Sequence, residues 1–137
     1  MPKLLQDIWI IDESGIVVFH RVFDEKVDAQ LFGGLMSALN SFAEQLSKGG
    51  LSNFELRNKR FSVINENHFL FIASSSKDVN LKKVDQELRI IAKKFFDLYP
   101  EEVLSKSNGE ISKFRDFKKE IENSLEDTIR KFRKAFW

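Results

Sequence analysis

The sequence contains no cysteine. Disulfides, thiolate metal sites, a cysteine nucleophile and S-palmitoylation are therefore excluded. Charge of one sign is not in excess either: 22 Lys and Arg stand against 21 Asp and Glu, a net charge of +1. No global field favours nucleic acid. The basic stretches Arg57–Arg60, Lys82-Lys83, Lys93-Lys94 and Lys118-Lys119 are interleaved with acids rather than gathered in one stripe. No apolar run approaches the ~20 residues that span a bilayer. The opening MPKLLQDIWIIDESG interrupts its short apolar core at Gln6 and Asp7 and has neither the apolar length nor the cleavage site of a signal peptide. The expectation is a soluble, cytoplasmic domain.

Catalytic signatures are also missing. There is no phosphate-binding GxxxxGK[ST], no GxGxxG after a strand, no HExxH and no GxSxG elbow. The two histidines, His20 and His68, fall on different strands. A triad or metal centre would need partners to which the sequence does not point. The stretch IIDESGIVVF (10–19) carries adjacent acids, Asp12 and Glu13, in a polar turn. Neighbours at a strand end point in opposite directions, whereas carboxylates that share work must face one substrate. Asp and Ser in a Gly-containing turn bond the turn's own backbone, so this reads as a hairpin corner. No enzymatic activity, cofactor or metal is expected.

What is present is one domain's worth of chain, 137 residues with 42% apolar and 31% charged. The spacing of apolar residues gives the order β-β-α-β-β-β-α-α. DIWII (7–11) is a buried strand. In the next, Val17, Phe19 and Phe23 alternate with Ile16, Val18, His20 and Val22. Asp28 caps a helix whose core stripe reads Leu31, Leu35, Leu39, Phe42 and Leu46, and Gly49-Gly50 stops it. NFELR, RFSVI and HFLFIA are three strands, turned at Asn58-Lys59 and at Asn65–Asn67. A second helix, capped by Asn80 or Asp78, presents Leu81, Val84, Leu88, Ile91, Phe95 and Leu98 and ends at Pro100. After the loop SKSNGE, a last helix carries Phe114, Phe117, Ile121, Leu125, Phe132 and Phe136. The class is α+β: a mainly antiparallel five-stranded sheet with helices on it, in one domain of residues 1–137. Residues 1–104 make the sheet and two helices; residues 105–137 make the loop and last helix. Fourteen Phe fill the core.

Two surfaces stand out. Gly33 and Gly34 lie inside the first helix, where each costs ~1 kcal/mol relative to Ala. With Ser37, Asn40 and Ser41 they form a small-residue strip opposite the expected core stripe, where another backbone can approach closely. At the C-terminus, Arg130, Lys131, Arg133 and Lys134 lie opposite Phe132 and Phe136, with Trp137 off the stripe. Peripheral membrane contact or partner contact is one reading of that helix; a packed helix with a basic solvent face is the preferred one.

The element order and three stretches resemble the longin domain of the roadblock/longin superfamily. IWIIDESGIVVFHRVF resembles its opening strands. LFGGLMSALNSFAEQLSKGGL resembles its first helix, as in small longin-like and roadblock-like proteins of archaea. FSVINENHFLFIASSS with IAKKFFDLYPEEV resembles its closing strands and second helix. A roadblock domain proper would begin with a helix, so the strand-first order favours longin. The resemblance implies a three-layer, profilin-like sheet with one helix on one face and two on the other. It further implies a non-enzymatic platform in vesicle trafficking that pairs with itself or with another longin/roadblock-like chain and works with small Ras-like GTPases. Such dimers meet through the first helix and the neighbouring edge strand. Here that surface is Gly33, Gly34, Ser37, Asn40 and Ser41, with Phe54. No fusion motif follows, so a fusion role is not expected. A PAS-like or profilin-like small-molecule sensor is the competing reading.

Overall fold

The computed structural model describes residues 5–22, 26–100, 104, 114–119 and 121. Two strands, β1 (Asp7–Ile11) and β2 (Val17–Arg21), precede helix α1 (Ala29–Leu46). Strands β3 (Asn53–Glu55), β4 (Arg60–Glu66) and β5 (Phe69–Ser75) lead to helix α2 (Leu81–Leu98). The sheet is antiparallel, in the order β2-β1-β5-β4-β3. Strands β2 and β3 are its edges.

The pleat divides the core in two. Toward α2 point Ile8, Ile10, Ile64, Phe71 and Ala73, packed on Val84, Leu88, Ile91 and Phe95 and on Phe114, Phe117 and Ile121. Toward α1 point Trp9, Ile11, Phe61, Val63, Leu70 and Ile72. The central strands are thus covered on both sides, which is why Ile8, Trp9, Ile10 and Ile11 of β1 are apolar without a break. Helix α1 lies on one face; α2 with Phe114, Phe117 and Ile121 lies on the other, as three layers require. Leu125, Phe132, Phe136 and the basic C-terminal residues Arg130, Lys131, Arg133, Lys134 and Trp137 fall outside the described residues.

Strict alternation in β2 does not hold. Ile10 pairs with Phe19 and Ile11 with Val17, so Val18 is an extra residue. This bulge shifts the phase, and Val17 and Phe19, expected on one face, pack on opposite ones. Phe23 lies outside the described residues. The β4–β5 turn sits later than the asparagines indicate. Asn65 and Glu66 remain paired with Leu70 and Phe69, and the turn is Asn67-His68, both at positive φ (49° and 68°). A two-residue turn of that hand matches the strand twist. In α2 the inner face is as expected at Val84, Leu88, Ile91 and Phe95, but its end residues Leu81 and Leu98 are exposed. Asn80 is the cap; its Oδ1 accepts from the N–H of Lys82 at 2.9 Å and of Lys83 at 3.3 Å.

Candidate protein-interaction surface

Helix α1 is fixed at three points along its length. Asp28 caps it, with Oδ1 accepting from the N–H of Gln30 at 3.0 Å and of Leu31 at 3.1 Å. Gln30 then reaches the edge strand. Its Oε1 accepts from Val17 N–H at 2.9 Å, and its Nε2 donates to Val17 C=O at 3.0 Å. Farther on, the carbonyl of buried Asn40 accepts from Leu51 N–H at 3.1 Å while its amide donates to Glu44 at 3.1 Å. These bonds set the helix rotation.

Between them the helix crosses the sheet closely. A Cβ on Gly33 would stand 2.5 Å from Val17 Cγ2 and 2.8 Å from Gly15 O. Only glycine fits there. The inner face of α1 is therefore Gly33, Met36 and Asn40, with Phe32 and Leu39 partly buried. This corrects the expectation from the sequence. Gly33 and Asn40 belong to the interior and are not an open contact strip, and Ser37 is half-buried, 3.4 Å from where a Cβ on Gly15 would stand. Gly34 and Ser41 do remain exposed.

The larger apolar stripe faces outward instead. Leu31 is 68% exposed, Leu35 61%, Phe42 60% and Leu46 74%. The sequence placed all four in the core because the most apolar helical face is ordinarily the buried one. What it could not rank was close approach over bulk: the sheet accepts a glycine face here, and the bulky face is left outside. One signal was available. From Ala29 to Ala43 no residue is charged, which is unusual for a helix that shows one side to water. Exposed Leu and Phe in one stripe, with exposed Gly34 and Ala38 beside them, make this face the candidate interaction surface.

The edge strand β3, at the border of the sheet opposite β2, sends Phe54 into the same core layer that lies under α1. Ser52 C=O accepts from Val63 N–H at 2.9 Å, and Leu56 N–H donates to Lys59 C=O at 2.8 Å. By ladder alternation the main-chain groups of Asn53 and Glu55 point away from β4. Half-buried Phe54 stacks on Phe61, with ring centroids 4.7 Å apart, and Leu56 beside it is exposed. Phe61 leads on to Trp9 at 5.9 Å, and Trp9 stacks under Phe32 of α1 at 4.3 Å. Aromatic rings fill the space between α1 and the sheet.

The acidic turn is a hairpin corner. Asp12 Oδ1 accepts from Ser14 N–H at 2.9 Å, Ser14 Oγ–H at 2.7 Å and Ile16 N–H at 3.0 Å, and Gly15 takes φ +91°. One carboxylate oxygen thus holds three donors of its own turn. His20 lies on β2 and His68 in the β4–β5 turn, so the sheet does not bring them together. Among the described residues no group of three or more His, Asp or Glu is placed to hold a metal, and no helix is long and apolar enough to cross a membrane.

No protein-family model matches the chain, and no curated protein matches it in sequence. Solved structures do match. Myxococcus xanthus MglB superposes with a TM-score of 0.57 at 11% identity, covering 69% of this chain and 83% of its own. A Roadblock/LC7 domain from Streptomyces avermitilis gives 0.57 at 15% identity, covering 69% of this chain and 84% of its own. At such identities both likenesses carry the fold alone. The chain has the roadblock/longin fold.

Proposed function

We propose that this chain is a non-enzymatic interaction platform. It pairs through the outer face of α1 and the β3 edge with a second copy or a related roadblock/longin-like chain, and the pair works with a small Ras-like GTPase in trafficking-type regulation. The observation that carries this reading is the charge-free stripe of Leu31, Leu35, Phe42 and Leu46 left exposed on an 18-residue helix. A stripe of that kind gains about 25 cal/mol for each Å² removed from water.

The pattern favours a second copy. The stripe is symmetric about the Ala38-Leu39 boundary. In an antiparallel helix pair Leu31 meets Leu46 of the other copy and Leu35 meets its Phe42. No like charges oppose one another along the way, and exposed Gly34 and Ala38 let the backbones approach. A two-fold pair needs such self-complementarity. The GTPase assignment rests on the likeness of fold.

The experiment is sedimentation equilibrium across concentration, followed by affinity capture with candidate Ras-like GTPases loaded with GDP or GTP. A concentration-dependent dimer that retains a nucleotide-dependent GTPase supports the reading. A chain monomeric at high micromolar concentration sinks the pairing. A dimer that captures no GTPase in either state removes that partner.

A further inference from the structure

The helical layer on the other face of the sheet has a different character. Among its described residues Lys82, Lys83 and Lys93 of α2 are exposed, as are Arg115, Lys118 and Lys119. The exposed acids there are Asp97 and Asp116; Asp85 and Glu87 are half-buried, and exposed Arg89 pairs with Glu66 at 3.1 Å. Along α2 the outermost ridge runs Lys82, Gln86, Ile90, Lys93, opposite the buried Val84, Leu88, Ile91 and Phe95. Ile90 stands between Gln86 and Lys93, 46% exposed, with exposed Asp97 one turn beyond Lys93. Phe117 packs on Phe95 at 5.3 Å, so residues 114–119 lie beside α2. Among the described residues the α2 layer thus carries more cations than acids, while the helix on the other face has no charge from Ala29 to Ala43.

We propose that the α2 layer rests on an anionic membrane surface. The chemistry favours lipid over a shaped acidic site. Lysine is a point charge on a long stem and suits a diffuse plane of headgroups, whereas a shaped acidic partner is met by the bidentate fork of arginine. Ile90 has nothing to gain from a polar partner but gains by entering the headgroup boundary, with the lysine stems spread around it. With the chain at only +1 overall, the contact is weak and reversible. In a pair joined at the β3 edges both α2 layers fall on one face of the extended sheet and meet the same membrane. That doubling rests on the pairing proposed above; the single-copy contact does not.

The test is co-sedimentation of the full chain with vesicles of phosphatidylcholine alone or mixed with phosphatidylserine, at low and high salt. Each basic residue near an anionic surface is worth roughly a five-fold gain in binding. Wild type should sediment with the mixed vesicles, should not with phosphatidylcholine alone, and should be released by salt. The double variant Lys82→Glu/Lys93→Glu should lose binding by roughly 25-fold or more, since two cations are lost and two anions added, while its circular dichroism and mass stay unchanged. Absence of binding at low salt overturns the proposal. Equal binding by the double variant does so too, since it moves the contact elsewhere on the chain. Soluble polyglutamate that competes as well as phosphatidylserine vesicles also overturns it, in favour of an acidic protein. Leu35→Asp separates the two readings: mass reports pairing, and vesicle binding by the single copy should persist, weakened.

Discussion

Replacing Leu35 by Asp places a carboxylate at the centre of the outer stripe of α1. In one copy the side chain is 61% exposed, so the folded monomer loses little. Its stability should change by no more than about 0.5 kcal/mol, the usual range for a surface substitution. The cost appears on pairing. Full burial of a leucine is worth about 1.5–3 kcal/mol, and a little over half of that remains to be gained at Leu35. A two-fold pair counts it twice, so about 2–4 kcal/mol of apolar burial is lost. Two carboxylates pressed toward Phe42 of the opposite copy add about 1 kcal/mol or more each in lost hydration. The dissociation constant should therefore rise by roughly three to four orders of magnitude. Sedimentation velocity over a wide concentration range, with a urea melt of each protein, measures both quantities. A variant that pairs as tightly as wild type refutes the interface. A variant that unfolds several-fold more readily in urea refutes the outward placement of Leu35.

Gly33 and Gly34 are neighbours with opposite expectations. Gly33→Ala drives a methyl into Val17 and Gly15 O and should destabilise the fold by about 1–3 kcal/mol, whereas Gly34→Ala has nothing within 4 Å and should stabilise the monomer by about 0.5–1 kcal/mol; urea melts of the two variants, with Gly34→Ala read in the Leu35→Asp background, check both. Asn40→Ala leaves Leu51 N–H without its acceptor and should cost about 1–3 kcal/mol, with faster hydrogen exchange at the Leu51 amide as the local readout. Asp12→Ala removes the acceptor of three hairpin donors and should lower stability by about 1–2 kcal/mol while leaving pairing unchanged, read by melts and sedimentation.

Much of the architecture was legible because local rules and tertiary packing agree in it. Asp28 and Asn80 cap the helices that their spacing announced, and Phe114, Phe117 and Ile121 all bury as one stripe. The failures share a cause, a non-local contact that outweighs a local pattern. The bulge at Val18 breaks alternation in β2 without any glycine to announce it. Asn65, read as a turn residue, instead stays in its strand, where its amide lies 3.5 Å from Glu44 of α1. The rotation of α1 is the consequential case. Periodicity showed two faces, one bulky and one small, and assigned the bulky face to the core. The outcome was settled by Gly33 meeting Val17, by Gln30 gripping the same residue and by Asn40 holding Leu51, three contacts that no spacing within the helix reveals. The helix itself was legible, and its inner and outer faces were exchanged.

The grip of Gln30 on Val17 reaches beyond the placement of a helix. A carboxamide has the same donor and acceptor as a peptide group, and here both are spent on one residue of an edge strand. Val17 is in effect already stitched to a single-residue counterfeit of a sixth strand. An incoming chain finds no vacant rung at that position, while the far border of the sheet, at Asn53 and Glu55, still shows its own. Sheets that can be extended from both borders propagate into fibres; a sheet with a stopper at one border and an open rung at the other joins once, border to border, and is finished.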